Sequence, residues 1–138
     1  MAIHLQKSHK NEIKSILLLQ DSNHINFTYH KGKKEYPKEI LEKIETIFKD
    51  NAQLFLSSVN GICENILEHE LSVDEIDITV RIMKDKAVIQ FIDNGNLYNP
   101  FSNDKFSESQ TIKKLRENNC EFEYTNVLGF NKSYVRFN

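Results

Sequence analysis

Polar residues interrupt an apolar helical pattern between Ser58 and His69. Gly61, Asn65 and His69 are spaced by four residues each, so on an α-helix they lie along one line. A second polar group, Asp93-Asn94-Gly95, follows the apolar run "VIQFI". An Asp-x-Gly at the end of a strand forms a tight turn, because Gly accepts positive φ. Its carboxylate could accept a hydrogen bond from an exocyclic amine, and Gly would let a planar ring approach the backbone.

Each of these groups also has a simpler interpretation. Helix geometry alone favours Asn65 and His69 as satisfied polar residues at the edge of a domain. The turn alone would only reverse the chain. The two groups must therefore be considered together with the elements that carry them.

The helical spacing of apolar residues predicts two successive helices before the turn. The first runs from Lys38 to about Asp50, and the second covers Ala52 to Glu70 and carries the polar line. An earlier helix, capped by Ser8 or Asn11, is predicted to run to about Gln20. "SQTIKKLREN" predicts a further short helix.

Alternation of apolar and polar residues predicts the strands. "HINFTYH" is one strand, and two more, Asp77–Met83 and Ala87–Asp93, form an antiparallel hairpin around "KDK". "CEFEYTNVLGFNKSYVRFN" predicts a closing hairpin around Gly129. This order predicts an α+β two-layer sandwich, with helices on one face of a mixed, mostly antiparallel sheet.

Composition indicates one soluble domain over residues 1–138, with residues 1–22 as an extra N-terminal helix. The chain has 39% hydrophobic and 28% charged residues, only 2 Pro and 4 Gly, and a net charge of -2. That charge predicts no general attraction to nucleic acid or membrane. Two cysteines do not form a disulfide framework, and Cys63 fits a small buried hydrophobe. With no signal-like or membrane-spanning stretch, a cytoplasmic location is expected.

The two polar groups, in this order and spacing, resemble the motifs of the GHKL (Bergerat, histidine-kinase-like) ATPase fold. "SSVNGICENILEHE" is similar to the first nucleotide-binding motif of bacterial anti-sigma-factor serine kinases and related partner-switching kinases. "VIQFIDNGNLYNPF" is similar to the second, and "EFEYTNVLGFNKSYVRF" to their terminal hairpin. The resemblance covers roughly Ile25 to Phe137.

The resemblance implies a site for ATP or ADP with Mg²⁺. Asn65 would bind the magnesium ion, Asp93 would accept the adenine amino group, and Gly95 would give the adenine room. His69 continues the helix line and is included in the nucleotide site. Mg²⁺ prefers hard oxygen ligands and keeps several waters, so one amide oxygen suffices.

Two departures from the family pattern predict that this chemistry is degenerate. The family has a catalytic Glu where this chain has Gly61, and Glu64 lies about 100° round the helix. The family's Gly-rich phosphate lid falls on "ESQT", Glu108 to Thr111, which contains no Gly. We therefore predict no catalytic residue, and nucleotide binding that is weak or absent.

Three functions remain open from the sequence. The first is a regulatory module in partner-switching signalling, binding an anti-sigma antagonist or a sigma-factor type protein. The second is an active ATP-dependent serine/threonine kinase with an unrecognised base. The third is an α+β interaction module unrelated to nucleotide. By analogy with the family, the N-terminal helix could also support a homodimer.

Overall fold

The computed structural model describes residues 24–32, 36–83, 86–107 and 109–137. The predicted N-terminal helix and the first two residues of the "KDK" turn, Lys84 and Asp85, lie outside the described residues. The helices are α1 (Lys38–Phe48), α2 (Ala52–His69), α3 (Asp104–Ser107) and α4 (Gln110–Glu117). The strands are β1 (His24–His30), β2 (Glu75–Met83), β3 (Lys86–Asp93), β4 (Glu121–Val127) and β5 (Phe130–Phe137).

The five strands form one sheet in the order β1-β2-β3-β5-β4. All four pairings between these described strands are antiparallel, where the sequence predicts a mixed, mostly antiparallel sheet. The predicted β2–β3 hairpin is confirmed, with Ile78 opposite Phe91 and Val80 opposite Ile89. The fold class is α+β and is consistent with the GHKL-like sandwich that the motifs predict.

One face of the sheet packs against α2 and α4. Ile78, Ile89 and Phe91 alternate along neighbouring strands, so they point to the same side and are buried. Helix α2 supplies the facing layer, whose fully buried side chains are Phe55, Val59, Ile62, Cys63 and Ile66. Helix α4 adds Ile112 and Leu115, and Ser109 caps it by accepting from the Ile112 N–H at 3.4 Å. The opposite face of the sheet carries half-buried polar and apolar side chains, including Thr79, Gln90 and Tyr134.

The predicted helices that fall among the described residues are confirmed within one or two residues at their ends. A short 3₁₀ turn, Lys49–Asn51, separates α1 from α2, and Lys49 has φ of 50°. Helix α2 ends at His69, and the Glu70 N–H still donates to Ile66 O at 2.8 Å. The stretch after Asp93, which the sequence predicts as irregular, contains a 3₁₀ turn at Pro100–Ser102 and the single-turn helix α3.

Candidate functional site

The polar line on α2 is covered by one tyrosine of the same chain. The Tyr98 hydroxyl donates to Asn65 Oδ1 at 2.5 Å. The Tyr98 ring stacks on His69, with centroids 4.6 Å apart and planes 17° from parallel. Asn65 is only 8% exposed, so its amide oxygen is already buried against this hydroxyl. Asn65 and His69 thus share Tyr98 as an intramolecular partner.

Two asparagine-initiated turns hold Tyr98 in this place. Asn99 Oδ1 accepts from the Phe101 N–H at 2.9 Å, and Asn103 Oδ1 accepts from the Phe106 N–H at 2.9 Å. Such side-chain caps fix short turns that have no apolar periodicity. Asn103 also reaches back to the helix, with its Nδ2 3.2 Å from His69 Nε2.

The turn after β3 is built around the carboxylate of Asp93, which is 5% exposed. Asp93 Oδ1 accepts from the Gly95 N–H at 2.9 Å and from Asn131 Nδ2 at 3.0 Å. Both donors belong to the chain itself. The Asp-x-Gly turn predicted from the sequence is therefore present, and its carboxylate already holds protein partners.

Asn131, like Tyr98, belongs to the candidate site but was not predicted from the sequence. It is 1% exposed and lies opposite Asp93 where β5 pairs with β3. Its Nδ2 also donates to Asn96 O at 2.8 Å, and its Oδ1 accepts from Asn126 Nδ2 at 3.0 Å and from the Tyr124 hydroxyl. The only signal in the sequence is the alternation along β5, which places Asn131 on the same face as the buried Val135.

Asn65 and Asp93 belong to one hydrogen-bonded network that passes through Tyr98 and Asn131. The Tyr98 side chain bonds to Asn65, while its N–H lies 3.5 Å from Asn131 Oδ1. The structure thus places the sequence-predicted residues at one end of α2 and β3. They do not line the principal cavities of the described residues. One of these, about 1130 Å³, lies between β1 and the start of α1, and another of about 520 Å³ lies on the outer face of the sheet.

The backbone at Gly95 packs closely against the connection between α2 and β2. A Cβ added at Gly95 would be 2.6 Å from Val73 Cγ2 and 3.3 Å from Glu70 Cγ. Glu70, itself buried, accepts from the Asn96 N–H at 3.1 Å. The space that the resemblance gives to an adenine ring at Gly95 is filled on this side by Val73 and Glu70.

Gly61 is in equally close contact with α4. A Cβ at Gly61 would lie 2.4 Å from Thr111 Oγ1 and 2.9 Å from Thr111 Cγ2. Thr111 is β-branched, so a rotation about χ1 would bring another branch toward residue 61. Glu64 does not compensate for the missing Glu, because its Oε1 accepts from the Tyr29 hydroxyl at 2.8 Å.

Burial raises the pKa of the Tyr98 hydroxyl above its ordinary value. The hydrogen bond to Asn65 acts in the opposite direction, while the charges of Glu68 and Glu70 raise the pKa further. Tyr98 therefore keeps its proton at neutral pH and remains the donor to Asn65. The negative charge of the two glutamates also shows that this end of α2 is acidic.

Both groups that the resemblance assigns to a magnesium–nucleotide already have hydrogen-bond partners within the protein. The amide oxygen assigned to the metal is covered by the Tyr98 hydroxyl, and the carboxylate assigned to adenine has two protein donors on one oxygen. Among the described residues, no three His, Cys, Asp or Glu side chains come together as a metal site. No helix in the described part of the chain is long and apolar enough to span a bilayer.

Comparison with known proteins adds a structural likeness. No family model matches the chain, and no curated protein matches its sequence. The histidine kinase AdeS of Acinetobacter baumannii is similar in structure, with a TM-score of 0.48 and 9% sequence identity. The match covers 94% of this chain and 76% of that chain.

Proposed function

We propose that this chain is a regulatory, protein-binding module in bacterial partner-switching signalling. In this proposal it is built on a histidine-kinase-like ATPase fold in which nucleotide binding is weak or lost. The observation that carries the proposal is the hydrogen bond from the Tyr98 hydroxyl to Asn65 Oδ1. It places a side chain of the protein at the position that the motif resemblance assigns to Mg²⁺ and phosphate.

Displacing Tyr98 would be costly for a ligand. Removing the hydroxyl leaves the buried Asn65 oxygen without that donor, and an unsatisfied buried polar group costs roughly 1–3 kcal/mol. The stacked contact with His69 would be lost as well. A nucleotide would have to compensate for the free energy of both lost contacts before it gained any net affinity.

The position of the missing catalytic Glu supports the same proposal. Residue 61 faces Thr111 with no room for a Cβ, so a longer side chain there would require α4 to move. In this proposal, the packing of α4 on α2 occupies the position where an active kinase of the resembled family would carry its general base. The proposal therefore includes no catalytic residue.

The partner classes rest on the motif resemblance alone. They are an anti-sigma antagonist or a sigma-factor type protein. ATP or ADP with Mg²⁺ remains the cofactor to test, with Asn65, His69, Asp93 and Gly95 as the predicted contacts. Because the γ-phosphate would find few donors, ATP and ADP should bind with similar, weak affinity.

Phosphate transfer from radiolabelled Mg·ATP tests the proposal. We expect neither hydrolysis above the blank nor label on the protein. Turnover that Glu64→Gln abolishes would overturn the proposal, because it would identify Glu64 as the base of an active kinase. The matched control is Glu68→Gln, an exposed glutamate on the same helix.

A further inference from the structure

Exposed apolar side chains are concentrated at one end of the sheet. The described residues include six large hydrophobic side chains that are strongly exposed. Five of them lie at the end where β3 finishes at Asp93, and we call this set the apolar end: Leu71, Leu97, Val127, Leu128 and Phe130. The sixth, Met83, ends β2 at the opposite end of the sheet.

Hydrogen bonds bring the three segments of the apolar end together. The Asn96 N–H donates to Glu70 Oε2 at 3.1 Å, which places the loop before Leu97 beside the segment before Leu71. Asn131 Nδ2 donates to Asn96 O at 2.8 Å, which places the same loop beside the β4–β5 hairpin. The apolar end is therefore one surface region and adjoins the network around Asp93.

The hairpin holds one of these residues in a strained conformation. Leu128 and Gly129 form the turn, with φ of 54° and 84°. Positive φ at both positions is typical of a type I′ turn, where Asn is preferred before Gly. A leucine in this conformation is disfavoured by sterics and is 63% exposed, so neither the backbone nor burial explains its presence. Residues held in such strained conformations cluster at functional sites, among them ligand clamps.

Among the described residues near the apolar end, carboxylates outnumber ammonium groups. Glu68, Asp74 and Glu75 are exposed, and the buried Glu70 and Asp93 add negative charge. The described lysines near them are Lys31 and Lys132. An apolar surface with an acidic rim complements a ligand that is apolar and basic, and it repels anionic lipid.

We propose that the apolar end binds an amphipathic segment of a partner protein that presents apolar side chains next to Lys or Arg. This inference rests on the proposed function as a protein-binding module and names the chemistry of the partner. Leu97 and Leu128 supply the apolar contacts, since they are 75% and 63% exposed. The carboxylates of the acidic rim bind the basic flank of the segment and thereby orient it.

Fluorescence anisotropy with a labelled amphipathic Leu/Lys peptide tests the proposal on the full chain. The comparison peptide replaces every Lys by Glu. We expect the Leu/Lys peptide to bind, and Leu97→Asp to weaken binding by about tenfold, the effect of losing one buried leucine. Met83→Asp, the exposed apolar residue at the opposite end, should leave binding unchanged.

A second variant separates binding from folding. Leu128→Asn suits the positive φ of the turn, so we expect a melting temperature at least as high as that of the wild type together with weaker peptide binding. Equal binding of the Leu/Glu peptide, or equal weakening by Met83→Asp, would overturn the proposal. It would also be overturned if Leu97→Asp acted only by dissociating a dimer, or only by abolishing binding to phosphatidylserine vesicles.

The result of the peptide-binding test does not depend on whether the chain binds nucleotide. If the peptide fails to bind while the chain still lacks affinity for Mg·ATP, only the docking surface is wrong. If Mg·ATP binds tightly while the peptide result holds, the proposed function is wrong and the surface stands.

Discussion

Thr111 packs so closely against Gly61 that a Cβ atom at residue 61 would lie 2.4 Å from Thr111 Oγ1. This contact joins α4 to α2 directly beneath the polar line. The contact explains why residue 61 is a glycine. The sequence alone shows only that the glutamate of the resembled family is absent at this position. Substitutions at Gly61 and Thr111 therefore test how α4 packs on α2.

Gly61→Ala should destabilise the protein, because overpacking typically costs roughly 1–3 kcal/mol and exceeds the gain in helix propensity. Urea unfolding measures the change. In a Thr111→Ala background the two shortest contacts are removed, so the same substitution should become neutral or stabilising. A stabilised Gly61→Ala in the wild-type background would contradict this packing.

Tyr98→Phe should lower the free energy of unfolding by about 1–2 kcal/mol, because Asn65 loses its hydroxyl donor while the ring remains. The measurement is again urea unfolding. Tyr134→Phe, on the outer face of the sheet, is the matched control and should change stability little. Equal effects of the two substitutions would mean that the Tyr98 hydroxyl contributes nothing specific.

Asn131→Asp should be strongly destabilising at neutral pH, by roughly 3 kcal/mol or more, because it places a second carboxylate beside Asp93. Two adjacent carboxylates raise the pKa of at least one of them in the folded state. Stability from a raised pKa is present at low pH and is lost as pH rises, so the deficit should shrink under mild acid. Thermal unfolding across a pH series checks this, and a deficit independent of pH would refute the charge argument.

The two cysteine thiols should be unreactive in the folded chain. Burial raises the pKa of Cys63 well above its usual range and that of Cys120 to about 11. At pH 8 the thiolate fraction of Cys120 should fall by about a hundredfold relative to a free thiol, and access is also restricted. Labelling with a thiol reagent should therefore be slow until urea unfolds the protein. Rapid labelling of either thiol in the native protein would contradict the burial.

Because the pKa of Cys120 is raised in the folded state, the stability linked to Cys120 should decline as pH rises toward 11.

The long periodic elements could be predicted from the sequence alone. Helix α2 and the β2–β3 hairpin carry a clear switch from helical to two-residue spacing, and both are confirmed. These elements also bring Asn65 and Asp93 to the same end of the molecule.

The contacts that fill the site could not be predicted. The segment from Asn96 to Ser107 has no periodicity, because asparagine side chains rather than apolar packing fix its turns. Asn131 reaches Asp93 across the sheet, and such long-range partners leave no local pattern. The contact between Gly61 and Thr111 depends on how two helices pack, which residue spacing within one helix does not specify.

Calorimetric titration of Mg·ATP into the wild type and into Tyr98→Ala tests the central claim, that the chain's own side chains fill the nucleotide position. We predict that the wild type binds with millimolar affinity or weaker, and equally weakly to ADP. Tyr98→Ala should bind at least about tenfold more tightly, and only when Mg²⁺ is present, since Asn65 is then uncovered. Micromolar binding by the wild type that Tyr98→Ala leaves unchanged would contradict the claim.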